Sequence, residues 1–362
     1  MRPSQRMATS FALGMSLALA IPVAAQAATK SVDMGVPRAA QKSFEPTASD
    51  VNDFFPHKVR IHVNDTVRFV PTGFHTVDFG GRRTQKLPVF TPLEIAPIAG
   101  VVDAANQPFW FNGQRQVGFN PALLRSGFGK RFSYDGSKAV LSGLPIARNP
   151  KPMSVRFTKT GTFRYFCDIH PGMTGLVQVV RSSSSVPSAR ADRNTVQNQV
   201  SSTLSTAKSL SRSNPTVPAN TVDVGLHGKG NVSFFGFKPA TVTVPRGTTV
   251  NFRMAAKSDI HTATAGPGDP EQQPSSYLGQ IEAGLQGAVL DPRGVFPSQP
   301  PGTLGVLTPA LHGNGFWNSG ALDEDPTTQT VPPNSTVTFG APGTYALFCM
   351  IHPFMKVTVT VQ

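Results

Sequence analysis

Phe166-Cys167-Asp168-Ile169-His170-Pro171-Gly172-Met173 and Phe348-Cys349-Met350-Ile351-His352-Pro353-Phe354-Met355 follow one pattern. Each reads Phe-Cys-x-x-His-Pro-x-Met, and together they hold both cysteines of the 362-residue chain, 182 residues apart. Thiolate, imidazole and thioether within seven residues make a soft ligand set. Because the pattern occurs twice, the flanking sequence is expected to repeat as well.

It does. Val155-Arg156-Phe157, Gly161-Thr162-Phe163 and Phe166-Cys167 match Val337-Thr338-Phe339, Gly343-Thr344-Tyr345 and Phe348-Cys349 at the same offset. Upstream, Val59-x-Ile61 and Val67-x-Phe69 parallel Val242-x-Val244 and Val250-x-Phe252. The turns between them are Asn64-Asp65 and Pro245-Arg246-Gly247. Apolar residues at period two between turn residues predict half-buried strands. Leu176–Val180 and Val357–Val361 close the two halves in the same way. The pattern predicts an all-β chain of two tandem Greek-key sandwiches or barrels, a duplicated domain and not a solenoid.

The expected boundaries are a leader over 1–27, domain one over 28–180, a linker over 181–220 and domain two over 221–362. The leader reading rests on Arg2 and Arg6, the apolar run Phe11–Ala20 and the small-residue site Ala25-Gln26-Ala27. The run is short and broken by Pro22, so no membrane span is expected, and the mature protein is expected in the periplasm or outside the cell. The linker is rich in Ser and Thr. Val196, Val200, Leu204, Ala207 and Leu210 recur in it at helical spacing, predicting a short amphipathic helix. Gly/Pro-rich insertions near 80–150 and 264–332 carry both tryptophans, Trp110 and Trp317. Loops of that length are functional or cover a site.

The formal charge of +13 comes from scattered Lys and Arg. No dense basic run or aromatic-basic pattern marks a nucleic-acid binder, whereas an acidic protein surface fits such a chain. Exported cysteines usually pair. A Cys167–Cys349 disulfide would, however, join equivalent positions of a repeat and leave the matching His and Met unexplained.

A second imidazole would complete His₂Cys with a weak axial Met, the donor set of a blue-copper electron-transfer site. Upstream of Cys167 stand His57, His62 and His75. His75 follows the Val67–Val70 strand pattern, as His261 follows Val250–Phe252, and Thr comes next in both. Structural zinc prefers four Cys or His ligands, and Met serves it poorly. His57, His62, His227 and His312 are expected on the surface or as caps.

With these residues the chain resembles the cupredoxins, the small blue-copper proteins such as plastocyanin, amicyanin and pseudoazurin. The ligand loop is most like that of amicyanin, and His75-Thr76-Val77-Asp78-Phe79 resembles the family's His-Asn-Val-x-Phe; His261-Thr262-Ala263 is a looser match. The resemblance covers the start and end of each half. It implies type 1 copper held by His75, Cys167, His170 and Met173, and a second copper held by His261, Cys349, His352 and Met355. It also implies redox-protein partners docking where the loop histidines reach solvent, through Met350, Ile351, Pro353 and Phe354 in domain two. Asp168 and Gly172 would make the domain-one face more polar.

Duplicated cupredoxin folds also occur in copper nitrite reductases and two-domain laccases. The chain has no His-x-His, and no His adjoins either Cys. The expectation is therefore an electron carrier without substrate chemistry. The alternatives are a copper-delivery protein or, behind it, an oxidase or reductase with an intersubunit type 2 site.

Overall fold

The computed structural model describes residues 27–80, 86–325 and 331–362, so the expected leader, apart from Ala27, lies outside the described residues. The halves are built alike. In each, two sheets face one another and bury the apolar side of their period-two strands. Met153–Phe157 alternates buried and outward residues, as do Thr174–Val180 and Lys356–Val361.

One sheet of the first half has the strand order Phe54–Phe55, Thr29–Met34, Thr66–Pro71, Met153–Phe157, Arg131–Tyr134. The other runs Val140–Leu141, Asp78–Phe79, Gly161–Phe166, Thr174–Val180, Lys58–His62. The second half repeats the first sheet as Val232–Lys238, Thr221–Gly228, Thr249–Met254, Asn334–Phe339, Gly305–Leu307. It repeats the second as Trp317–Asn318, Thr264–Ala265, Gly343–Phe348, Lys356–Val361, Thr241–Val244. Parallel and antiparallel pairings also correspond: Thr29–Met34 lies parallel to Thr66–Pro71, and Thr221–Gly228 parallel to Thr249–Met254. The all-β, twice-built sandwich expected from the repeat is the architecture observed.

The halves are also interlocked. Ser49–Val51, from the first half, adds an antiparallel edge strand to Val232–Lys238 of the second. Such pairing removes an open sheet edge. Across the seam Val36, Phe44, Val51 and Phe55 share a buried cluster with Val232 and Ala207. Ala207 belongs to the helix Ala189–Arg212, which is 24 residues long and is capped by the Ser188 hydroxyl accepting from Ala191 N–H. Val196, Val200, Leu204 and Leu210 lie along the side of this helix that packs there. The helical period read between the halves thus belongs to a brace packed on both.

The insertions form a second bridge. Ile98, Phe109 and Phe111 of the first half pack with Leu278, Ile281, Phe316, Phe348 and Met350 of the second. Phe119 N–H donates to Ala288 O at 3.1 Å, Leu290 N–H to Val117 O at 2.9 Å, and the Trp110 indole to Pro297 O at 2.8 Å. Phe348 and Met350 bracket Cys349, so the first half's insertion supports the second half's cysteine strand.

Candidate metal centres

In each half the Cys-to-Met loop joins the last two antiparallel strands, and it closes on itself. Cys167 N–H donates to Met173 O at 3.0 Å and Met173 N–H to His170 O at 3.3 Å. The second loop repeats this, with Cys349 N–H to Met355 O at 3.2 Å and Met355 N–H to His352 O at 2.9 Å. The upstream histidine lies on the neighbouring connection. His75 precedes Asp78–Phe79, which pairs with Phe166, and His261 precedes Thr264–Ala265, which pairs with Phe348. Strand pairing therefore carries a residue some ninety positions away to the loop.

Nδ1 of His75 lies 3.0 Å from Nδ1 of His170, which is 3.7 Å from Cys167 Sγ. In the second half Nδ1 of His261 and of His352 are 3.0 Å apart, and lie 3.8 and 3.9 Å from Cys349 Sγ. Each set of three donor atoms falls within 4.8 Å. Both cysteines are free and buried, which removes the disulfide alternative. Met173 and Met355 are buried at the ends of the loops. The loops and strand pairing thus bring six of the eight sequence-predicted residues into two triads, and the backbone bonds from Cys to Met keep Met173 and Met355 at the ends of the same loops.

Two imidazole nitrogens facing one another beside a thiol suit a shared cation better than a lone hydrogen bond, and S, N, N donors suit copper. Packing selects which nitrogen points inward. A Cβ at Gly35 would lie 2.8 Å from His75 Nε2, and one at Gly225 2.9 Å from His261 Nε2; both glycines have positive φ, +99° and +69°. With Nε2 sealed against backbone and without a hydrogen-bond partner among the described residues, Nδ1 is the nitrogen left to face the cysteine.

Each cysteine sulfur accepts a backbone N–H, from Thr76 or Thr262, at 3.3 Å. Hydrogen bonding around the sulfur tunes a thiolate–copper couple. The same threonines hold the residue after Cys: Asp168 N–H donates to Thr76 Oγ1 and Met350 N–H to Thr262 Oγ1, both at 2.8 Å. Thr76→Val is expected to cost the metal-free protein about 1–3 kcal/mol by stranding a buried N–H, with Thr76→Ser close to wild type. A denaturation midpoint unchanged in Thr76→Val would contradict this role.

Burial holds the loop imidazoles neutral. It pushes His170 well below the usual histidine range, helped by the positive charges of His75 and Lys86, and it pushes His352 down to about 4. Burial likewise lowers His261. Neutral imidazole is the form that binds metal. Burial raises the Cys349 thiol, whereas at Cys167 it is outweighed by the hydrogen bond and charge of His75. His75 is raised: burial opposes its charge, but its hydrogen bond to Cys167 and the negative groups around it prevail.

The surroundings correct the expected docking faces. His170 is 8% exposed and faces the second half, not solvent. Asp168, expected to make the first face polar, is buried, and its carboxylate accepts from Leu87 N–H and Thr76 Oγ1. Met350 is buried in the bridge between insertions, which leaves Phe354, at 47%, as the exposed apolar residue of the second loop. The remaining histidines have other partners: His57 with Asp53, His62 with Asp65 and Ser184 O, His227 with Ser258, and His312 with Asp103 and Gln299.

Sequence reading passed over Gly35 and Gly225, although Val32-Asp33-Met34-Gly35 and Val222-Asp223-Val224-Gly225 repeat the same pattern. It noted the threonines without their role. Asp259 and Asn52, which meet at the seam, leave no repeated signal, because each is used once. Burial raises the Asp259 carboxyl to about 6, and Asn52 Nδ2 donates to its two oxygens at 3.1 and 3.2 Å.

No protein-family model matches the sequence, and a search of curated proteins finds no match. Among solved structures, the chain is similar to oxidised plastocyanin from Dryopteris crassirhizoma, at 23% identity over 39% of this chain and 99% of that one, TM-score 0.21. It is also similar to a purple cupredoxin from Nitrosopumilus maritimus, at 16% identity over 39% and 98%, TM-score 0.20. Reduced auracyanin from Roseiflexus castenholzii matches at 16% identity over 39% and 94%, TM-score 0.23. With its repeated strand order and a Cys-His-Met loop closing the last two strands of each half, the chain has a cupredoxin-like fold, built twice.

Proposed function

We propose that the chain is an exported type 1 copper protein that binds two copper ions and transfers electrons without substrate chemistry of its own. The observation that carries this reading is the pair of triads, the first buried and the second buried but for a half-buried His352, each with two Nδ1 atoms 3.0 Å apart beside a cysteine sulfur. His75, Cys167, His170 and Met173 would hold one ion, and His261, Cys349, His352 and Met355 the other. Bound there, copper supplies a one-electron Cu(I)/Cu(II) couple.

The chain's part is to hold these donors still. Interlocked strands, glycine cradles and threonine hydrogen bonds fix the donor positions, which limits rearrangement when the charge changes. Burial of His75, His261 and both cysteines favours a resident ion over one handed on as cargo. Export rests on the leader sequence; among the described residues no helix is long and apolar enough to cross a membrane.

His170 and His352 both line a cleft of about 1270 Å³ between the halves, which is of small-molecule scale and does not admit a redox protein. The reading therefore places protein docking at the second centre, where the Phe235 ring lies tilted against His352 at 4.4 Å and Phe354 continues to the surface.

Titrating metal-free protein with Cu(II) should raise an intense thiolate-to-copper visible band that saturates at about two equivalents. Copper at a hundredfold excess over its dissociation constant should add roughly 2.7 kcal/mol of stability per site. A copper-loaded protein without that band would sink the type 1 assignment.

A further inference from the structure

Building on the copper reading, we propose that Asp259 couples the two centres: from the second half it orients the His170 imidazole of the first ligand set, and through Ile260 and His261 it gives an electron a route between the two.

Among the described residues of its own half, none pairs with the outer nitrogen of His170. Its nearest carboxylate is Asp259 Oδ1, at 3.7 Å, carried by the other half. Both groups are buried, with Asp259 5% exposed, so solvent does little to screen or replace the contact. A carboxylate at the outer nitrogen of a ligand histidine favours the proton on that nitrogen and leaves the inner one free for metal. At 3.7 Å the contact is longer than a direct hydrogen bond, which one water or a small ring rotation would complete.

Asp259 is itself fixed. Asn52 of the first half donates to both of its oxygens, and Ser258 Oγ lies 3.5 Å from Oδ2. Asn52 is placed by backbone pairing, its N–H donating to Asn231 O at 2.9 Å, immediately after the Ser49–Val51 edge strand. The seam between the halves therefore does more than bury apolar area: it sets a carboxylate against a ligand of the first site.

Asp259 stands two residues before His261, a ligand of the second site. From His170 Nδ1 the route crosses the imidazole ring, makes one through-space step of 3.7 Å, and then follows bonds to the His261 ring. One centre is oxidised as the other is reduced, so exchange needs no further reagent. The feature is one-sided. Counting back from the histidine, the first half has Gly73 where the second has Asp259, and a Cβ at Gly73 would lie 2.7 Å from His75 Nε2.

The test uses the full chain with Asp259→Ala and Asp259→Asn. In metal-free protein, nitrogen NMR of the histidine rings should show His170 protonated at Nε2 in wild type and a tautomer mixture in Asp259→Ala. Asp259→Asn, whose amide oxygen can accept the same proton, should restore the wild-type form, with His62 and His312 unmoved throughout. In a Cys349→Ser background, where only the first site binds, Asp259→Ala should weaken copper binding about 10- to 100-fold. In loaded wild type, an electron injected by a photoexcited reductant should redistribute between the two visible bands at a concentration-independent rate, and Asp259→Ala should slow that phase. Unchanged His170 tautomer and copper affinity in Asp259→Ala, an Asp259→Asn as impaired as Asp259→Ala, or no concentration-independent phase in wild type would each overturn the proposal. If no visible band forms, the copper reading fails instead, and the metal-free tautomer measurement still decides the contact.

Discussion

Cys167→Ser should remove about half of the thiolate-to-copper band of the fully loaded protein, Cys349→Ser the other half, and the double variant all of it. Serine keeps the size of the side chain and leaves each loop's backbone bonds to Met173 and Met355 in place. It removes the sulfur that lies 3.7 Å from His170 Nδ1 in one site and 3.9 Å from His352 Nδ1 in the other. The halves of the spectrum need not coincide in energy. The residue after Cys is Asp168, tied to Leu87 and Thr76, in one site, and Met350, packed in an apolar bridge, in the other. Absorption and copper stoichiometry on the three variants check this. A full band surviving in either single variant would mean that its site contributes none of it.

Phe111→Ala should destabilise the protein by about 3–5 kcal/mol, the range for deleting a buried phenylalanine ring. Phe111 is fully buried, stacked on Phe109 at 4.9 Å and on Phe296 at 5.5 Å. It comes from the first half's insertion, yet its cluster contains Phe348 and Met350, on either side of Cys349. The substitution should therefore disturb the visible band of the second centre more than that of the first, although Phe111 lies in the half that holds the first. Denaturant unfolding gives the energy. The band of Phe111→Ala in a Cys167→Ser background, compared with that in a Cys349→Ser background, gives the direction. Equal perturbation of both bands would show that the bridge does not support the second centre selectively.

The two predictions draw on different kinds of information. The two His/Cys/His triads were legible in the sequence because ligand chemistry leaves few substitutes. A Cys-x-x-His-Pro-x-Met loop needs those residue types at that spacing, and its duplication separates the pattern from chance. The sandwich was legible for a related reason: period-two burial is local, and it recurs at a constant offset in Val155–Phe157 and Val337–Phe339. Short strands escaped notice. Arg131–Tyr134 and Gly305–Leu307 sit inside insertions and take their strand form from parallel neighbours more than from their own pattern.

What the sequence by itself determined was the candidate donors of each site and the unit of the repeat, because both depend on residue types within one half. Only the tertiary structure decided how the halves meet. The Ser49–Val51 edge strand, the insertion bridge and the Asp259 contact with His170 join residues of no characteristic spacing, each used once, and the period of the helix Ala189–Arg212 did not say which half it packs on. The same seam turned His170 away from solvent and left Phe354 outside. Burial at a seam depends on the surface that arrives from the other half, and no local pattern encodes it.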